Sequence, residues 1–367
     1  MTRSRLATAI REEWFLGVSL AMCLVFVCLN PAQQEPVGIV HLLVLFSSLF
    51  AVLLGTALAV ARHADHLAVR LGEPYGTMIL TLSVTTVEVV TITAVMLHGA
   101  NNPTLARDTL FAVIMIILNG MVGISLLVGG WLHREQQYNL QGANAYLGLI
   151  IPLTVLSLIL PDYTVTTPGP TLSGPQEVFV IFVSVGLYAA FVLLQTSRHR
   201  TYFTLGEEVV EESAPPGGSI LWHAALLLAY IFPVVYLAEK LAAPIDYVVE
   251  TLRAPAAFGG VIVAVLVATP EAISAIRAAR ANQMQRSVNI FLGSVLSTIG
   301  LTIPAMLAIA HLTGRPIELG VQHTDVVMLL LTLAVGVVTF SSGRTNVLQG
   351  AVHLLVFVAY LFLLVQG

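Results

Sequence analysis

The sequence predicts an all-α polytopic membrane protein with about eleven transmembrane helices. Composition is the first reason: 10% of the residues are charged and 57% hydrophobic, with a mean hydropathy of +0.89, whereas soluble domains carry about 25% charged residues. The second is that apolar runs of membrane-crossing length, about 20 residues, recur along the whole chain. The third is the sidedness of the basic residues, which appears once the runs are placed.

The first run, roughly 14–30, follows a basic stretch that superficially resembles a signal peptide. No small-x-small cleavage pattern follows residue 29 and the run is long enough to span, so it reads as a retained, extra N-terminal helix over residues 1–36. Its Cys23 and Cys28 lie on different faces of one helix and read as small hydrophobes, not as a disulfide. Spans two to six follow at roughly 37–61, 75–98, 108–132, 143–161 and 176–196. The segment 197–218, "SRHRTYFTLGEEVVEESAPPGG", ends in turn-forming residues and reads as a cytoplasmic linker. Its Glu207, Glu208, Glu211 and Glu212 make an acidic patch in a solvated loop. Spans seven to eleven fall near 219–242, 255–280, 286–312, 322–340 and 346–366.

With the N-terminus cytoplasmic, twelve of the sixteen Lys and Arg residues lie inside, and only Arg107, Lys240, Arg253 and Arg315 lie outside. That is the asymmetry the positive-inside rule requires, and the odd span count puts the C-terminus outside. No basic block points to nucleic acid, and the loops are too short for a soluble catalytic domain. HExxH and GxSxG are both absent, so a membrane-embedded hydrolase has no support and the chain reads as a non-enzyme.

One stretch, "LTLSVTTVEVVTITAV" at 80–95, places Glu88 near the centre of a membrane-length run. An acid there costs about 2.5–3.5 kcal/mol on insertion scales. The second half repeats it. "YGTMILTLSVTTVEVVTI" (75–92) aligns without gaps to "FGGVIVAVLVATPEAISA" (258–275), matching Gly76 to Gly259, Thr86 to Thr269 and Glu88 to Glu271. On the helix face leading to each acid stand Thr77, Thr81 and Thr85 in one half, and Gly260, Ala264 and Ala268 in the other. All are small, as closely crossing membrane helices need. Residues 37–196 and 219–367 therefore read as two five-helix repeats, inverted because each holds an odd number of spans. Asn119 is a lone amide in span four; with a turn four residues longer in the first half, it aligns with Thr298. Gly293, Ser294, Ser297 and Thr298 supply small residues and hydroxyls in span nine.

Inverted repeats carry transport sites near the membrane midplane, and two matched acids there predict a paired-carboxylate site. Calcium takes six to eight oxygens from carboxylates, amides, hydroxyls and carbonyls. Pro270 removes a backbone donor just before Glu271, so a carbonyl on the preceding turn loses its partner. Protons compete with metal for the same carboxylate oxygens, which is sufficient for antiport. The candidate ligands are Glu88, Glu271, Asn119, Thr85, Thr86, Thr269, Ser294, Ser297 and Thr298. His41 and His353 have no repeat counterpart and read as packing residues, and Glu239 reads as a solvated rim charge. A cation channel with the two acids as a selectivity ring is the rival; its flux would not be coupled to the pH gradient.

The stretches "TPEAISAIRAARANQMQRSVNIFLGSVLSTIGLTIPAML" (269–307) and "GEPYGTMILTLSVTTVEV" (72–89) closely resemble the bacterial ChaA-type calcium/proton antiporters of the calcium/cation antiporter superfamily. The resemblance covers essentially the whole chain. It implies that Glu88 and Glu271 stand where the family's paired repeat glutamates bind the cation and exchange it for protons. Ser294, Ser297 and Thr298 match a "GS..SN"-like segment, with Thr where Asn is usual, and Asn119 matches that Asn in the first repeat. It further implies a multi-pass protein of the bacterial inner membrane that exports Ca2+ in exchange for H+, with Na+/H+ or K+/H+ exchange as the alternative. The partners are then small cations, protons and the lipid bilayer, with self-association compatible, and no cofactor. The chain departs from the superfamily in two places. The Gly-Asn or Gly-Asp before each glutamate is replaced by Val84 and Thr85 and by Val267 and Ala268, and Ile114 and Met115 replace the first repeat's Gly-Ser pair. Fewer side-chain oxygens remain, so strict calcium selectivity does not follow from the resemblance.

Overall fold

The computed structural model describes residues 13–29, 38–72, 75–98, 102–205 and 219–366. Glu207, Glu208, Glu211 and Glu212 lie outside the described residues. Helices dominate: α1 (Trp14–Leu29), α2 (Ile39–Leu71), α3 (Tyr75–Leu97), α4 (Leu105–His133), α5 (Leu140–Tyr163), α6 (Gly174–Arg198), α7 (Ile220–Val249), α8 (Ala257–Arg280), α9 (Met284–Thr313), α10 (His323–Thr339) and α11 (Val347–Gln366). Each coincides with one predicted span. Among the described residues, nine are long and apolar enough to cross a membrane, and α1 and α10 are shorter apolar helices. Cys23 and Cys28 are free thiols.

The largest boundary difference is in α2, which runs to Leu71 instead of ending near residue 61. Its last ten residues, "RHADHLAVRL", are too polar for a span but contain good helix formers. Gly72 then stops the helix at φ +64°, a left-handed conformation that costs glycine little. A Cβ at Gly76 would lie 2.4 Å from the carbonyl oxygen of Ala68, so α3 begins tight against the end of α2.

The chain divides into two compact units, and these are not the sequential halves. The first comprises residues 1–101 and 214–254, the second 102–213 and 255–367. Each compact unit thus combines segments of both sequence repeats.

In the first unit, α2 packs along α7, with α3 against both and α1 at their side. Phe15 of α1 occupies the space over Gly55, where a Cβ would come within 2.2 Å of its ring. The buried hydroxyls of Ser19 and Thr56 lie 2.9 Å apart and join α1 to α2.

In the second unit, α4 and α9 are the innermost helices: 78% of the apolar window of each is buried, against 22% for α6 and α11. Protein, not lipid, surrounds these two. α8 crosses α4 at Gly260, where a Cβ would lie 2.7 Å from backbone atoms of Asp108 and Thr109. α11 crosses α4 at Gly350, a Cβ there meeting Leu127 N at 2.6 Å. Ala264 and Ala268 are also buried on α8, so that small face is a packing face. A two-residue antiparallel pairing of β1 (Gln136–Gln137) with β2 (Arg344–Thr345) closes one end. The buried Gln136 amide donates to Ala279 O at 2.8 Å, satisfying one of the open carbonyls at the end of α8.

Candidate cation site

In the first unit, α3 carries Glu88 with its side chain 4% exposed, inside a helix otherwise free of charge. Thr85 and Thr91, three residues to either side, share its helix face. Both are buried, and neither hydroxyl has a hydrogen-bond partner among the described residues. Buried polar atoms are nearly always partnered, so two such oxygens flanking a buried acid are suited to an ion. Thr86 is turned away: its exposed hydroxyl donates to Leu82 O at 2.6 Å, within its own helix.

In the second unit, α8 carries Glu271. The hydroxyl of Ser294 on α9 donates to its Oε2. Pro270 stands one residue before, and the carbonyl of Leu266 therefore has no N–H four residues on. Thr269 donates to Val265 O in its own helix, and Ser297 to Ser294 O at 2.9 Å. Ser287 ties the two helices together by donating to Ala275 O at 2.9 Å.

Asn119 lies in a π-helical segment of α4, Ile116–Met121, and Thr298 begins another in α9, Thr298–Thr302. The two positions aligned by the repeat thus both occupy widened turns, a feature enriched at functional sites. Both side chains are buried. Asn119 Nδ2 donates to Thr332 Oγ1 on α10 at 2.8 Å, and the Thr332 hydroxyl donates to Met328 O at 2.8 Å. Because the single hydroxyl proton of Thr332 is committed to a carbonyl, only its lone pair faces Asn119. The amide is thereby oriented with Nδ2 toward Thr332 and Oδ1 away from it. Asn119 Oδ1 is buried and has no hydrogen-bond partner among the described residues. Met115 packs beside this pair, its Sδ 3.7 Å from Asn119 Nδ2 and 3.4 Å from Thr332 Oγ1.

The structure therefore brings Glu271 to Ser294 within the second unit, and holds Asn119 by a residue that the sequence had not singled out. Thr332 escapes notice because a threonine in an apolar span ordinarily bonds only its own backbone. Thr91 lies one helical step beyond Glu88, outside the threonine row that leads up to the acid. Arg107, expected in the outer segment just before span four, falls at the start of that span. It sits buried in the first turn of α4, with Nε 2.9 Å from Asp108 Oδ1, Nη1 3.3 Å from Gly320 O and 3.7 Å from Glu318 Oε2. His353 is buried with Nε2 2.9 Å from Thr339 Oγ1, and Glu239 is paired at the rim with Lys240 at 3.0 Å.

The model of the sodium/calcium exchanger protein family matches residues 40–197 and 222–366, nearly the whole described chain. This chain belongs to the sodium/calcium exchanger family. It is 39% identical to the sodium-potassium/proton antiporter ChaA of Escherichia coli (strain K12), over 96% of each chain. It is 24% identical to the Ca2+/H+ antiporter ChaA of Bacillus subtilis (strain 168), over 69% of this chain and 75% of that one. Among solved structures, native YfkE superposes with a TM-score of 0.72 at 19% identity, covering 96% of this chain and 99% of the other. The H+/Ca2+ exchanger CAX gives 0.65 at 14% identity, covering 96% and 88%. The fold is thus shared over nearly the whole chain. Membership also makes this a transporter family member, and the multi-pass helical architecture follows with it.

Proposed function

We propose that this exchanger-family protein is a proton-coupled cation antiporter in which Glu88 and Glu271 bind the transported cation and release it for protons. The observation that carries the reading is the pair of sequence-matched acids in membrane-length helices, one flanked by hydroxyls with no partner among the described residues and the other accepting from Ser294. Asn119 Oδ1, Thr85, Thr91 and Ser294 supply neutral oxygens. Carboxylates bind either a cation or protons, and a bare carboxylate left charged in a low-dielectric interior is penalised. Ca2+ against two protons is electroneutral at two carboxylates. The ions are cargo, so exchange at these groups calls for no resident cofactor. The sidedness of the basic residues favours a cytoplasmic N-terminus, the bacterial relatives favour the inner membrane, and export of the cation is the direction that an inward proton gradient drives.

A second reading, exchange of Na+ or K+ for protons with little Ca2+ transport, is favoured by the relative at 39% identity, a sodium-potassium/proton antiporter. The replacement of the superfamily's Gly-Asn or Gly-Asp by Val84–Thr85 and Val267–Ala268 points the same way, because hard divalent ions demand more oxygens. The test is cation-induced proton movement in everted membrane vesicles, with Ca2+, Na+ and K+ added separately. Glu88→Gln and Glu271→Gln are each expected to abolish the response to whichever ion dissipates the pH gradient. Robust exchange by Glu271→Gln sinks the site assignment, and cation flux that ignores the pH gradient indicates a channel instead.

A further inference from the structure

The first compact unit holds a second constellation that the acids on α3 and α8 do not use. His63 and His66 lie three residues apart on α2, and His223 lies in the first turn of α7. His63 Nδ1 is 3.1 Å from His223 Nδ1, and His66 Nδ1 is 3.4 Å from that same atom. The three ligand nitrogens all lie within 4.8 Å of one another. His63 and His223 are buried, while His66 is half-buried and gives the cluster an opening.

Two imidazole nitrogens in contact share one proton, and His223 Nδ1 cannot serve two neighbours with one proton or one lone pair. A metal ion satisfies all three at once. With metal–nitrogen bonds of about 2.0–2.1 Å in tetrahedral geometry, ligand nitrogens stand about 3.3 Å apart. The spacings of 3.1 and 3.4 Å straddle that value. The far side of His63 is also arranged for ligation. Its Nε2 lies 3.2 Å from Glu13 Oε2, so coordination through Nδ1 leaves an Nε2–H to donate to a carboxylate, the usual support of a metal-bound histidine. Glu13 is held in turn by the Tyr230 hydroxyl at 2.9 Å and by Arg62 at 2.8 Å. Arg62 also approaches His63 Nε2 at 3.5 Å, its charge offset by the same carboxylate.

We propose that His63, His66 and His223 form a binding site for a divalent transition metal of the zinc class, with Glu13 as the positioning carboxylate and a fourth position left for water. Three neutral nitrogens suit Zn2+ or Co2+ and are poor ligands for Ca2+, Na+ or K+, which take oxygen. The site is therefore chemically separate from the transported ions. Its ligands and supporting residues come from α2, α7 and the start of α1, so an ion there staples three helices of the first unit.

The test uses the purified full-length chain in detergent, stripped with chelator and titrated with Zn2+ by calorimetry and with Co2+ by visible absorption. One ion per chain is expected, with the intense d–d bands of tetrahedral Co2+. His66→Gln, at the half-buried position, is expected to weaken binding at least tenfold, and Glu13→Gln about 10- to 100-fold. The Glu88→Gln/Glu271→Gln double variant keeps the site intact, so a failure of the transport reading leaves this result unaffected. Absence of one-to-one binding, an octahedral Co2+ spectrum, or unchanged affinity in both His66→Gln and His223→Gln overturns the proposal.

Discussion

Replacing Thr332 with valine tests whether Asn119 acts through the orientation of its amide. Valine is close to isosteric with threonine and removes the oxygen that receives Asn119 Nδ2 at 2.8 Å, together with that hydroxyl's bond to Met328 O and its 3.4 Å contact with Met115 Sδ. Both residues are 0% exposed, so no water replaces the lost acceptor. A hydrogen bond between buried neutral groups contributes about 1–2 kcal/mol, and that is the orientation energy an ion must supply in the variant. It corresponds to roughly a 5- to 30-fold rise in the cation concentration giving half-maximal proton release. The assay is proton efflux from proteoliposomes across a cation titration, with Thr332→Ser as the control that keeps the hydroxyl. The serine variant is expected within about threefold of wild type. An unchanged titration for Thr332→Val, or equal impairment by serine and valine, refutes the role given to this bond.

Two further outcomes are expected. Thr91→Val and Thr85→Val each remove a buried hydroxyl that has no partner among the described residues; cation-free protein should gain about 1–3 kcal/mol of stability while transport falls. Thermal unfolding in detergent beside vesicle assays checks both signs, and a loss of stability or unimpaired transport contradicts the assignment. Gly260→Ala forces a Cβ to 2.7 Å from the α4 backbone and should destabilise by about 1–3 kcal/mol. Gly148→Ala, where a Cβ meets nothing within 4 Å, should leave the unfolding temperature level or raise it; equal behaviour of the two variants removes the tight crossing from the account.

The membrane helices were legible because hydropathy registers any stretch that lipid or apolar protein must surround. What hydropathy does not register is helix beyond the span, and the polar end of α2 went unread for that reason. Glu88 and Glu271 stood out because a charge in an apolar run is costly and the cost is incurred twice at matching positions. Hydroxyls carry no such signal: Thr91 and Thr332 resemble the self-bonded Thr86 and Thr269 until packing shows which oxygen has a neighbour. The histidine cluster was hidden more deeply. His63 and His66 belong to the stretch beyond the predicted span, and His223 stands 160 residues from His63 in sequence, so only the packing of α7 on α2 unites them. Arg107 falls at the start of its span as expected, but its burial stayed hidden, because a loop charge and a buried helix-start charge look alike without Asp108 and Gly320 in view.

The widened turn at Ile116–Met121 has a consequence for how this stretch can vary. A π-helical turn holds one residue more than the α-helical turn it replaces. Deleting a single residue there would return the turn to α-helical form and keep the residues after it on their present faces, whereas the same deletion in the α-helical stretch Leu105–Met115 would rotate everything after it by about 100°. Such a rotation would swing Gly123 away from Leu354, whose Cγ now lies 2.8 Å from where a Cβ would stand. The widened turn is thus the place in α4 where a change of one in residue number is best absorbed, and the helix to either side is held to its count.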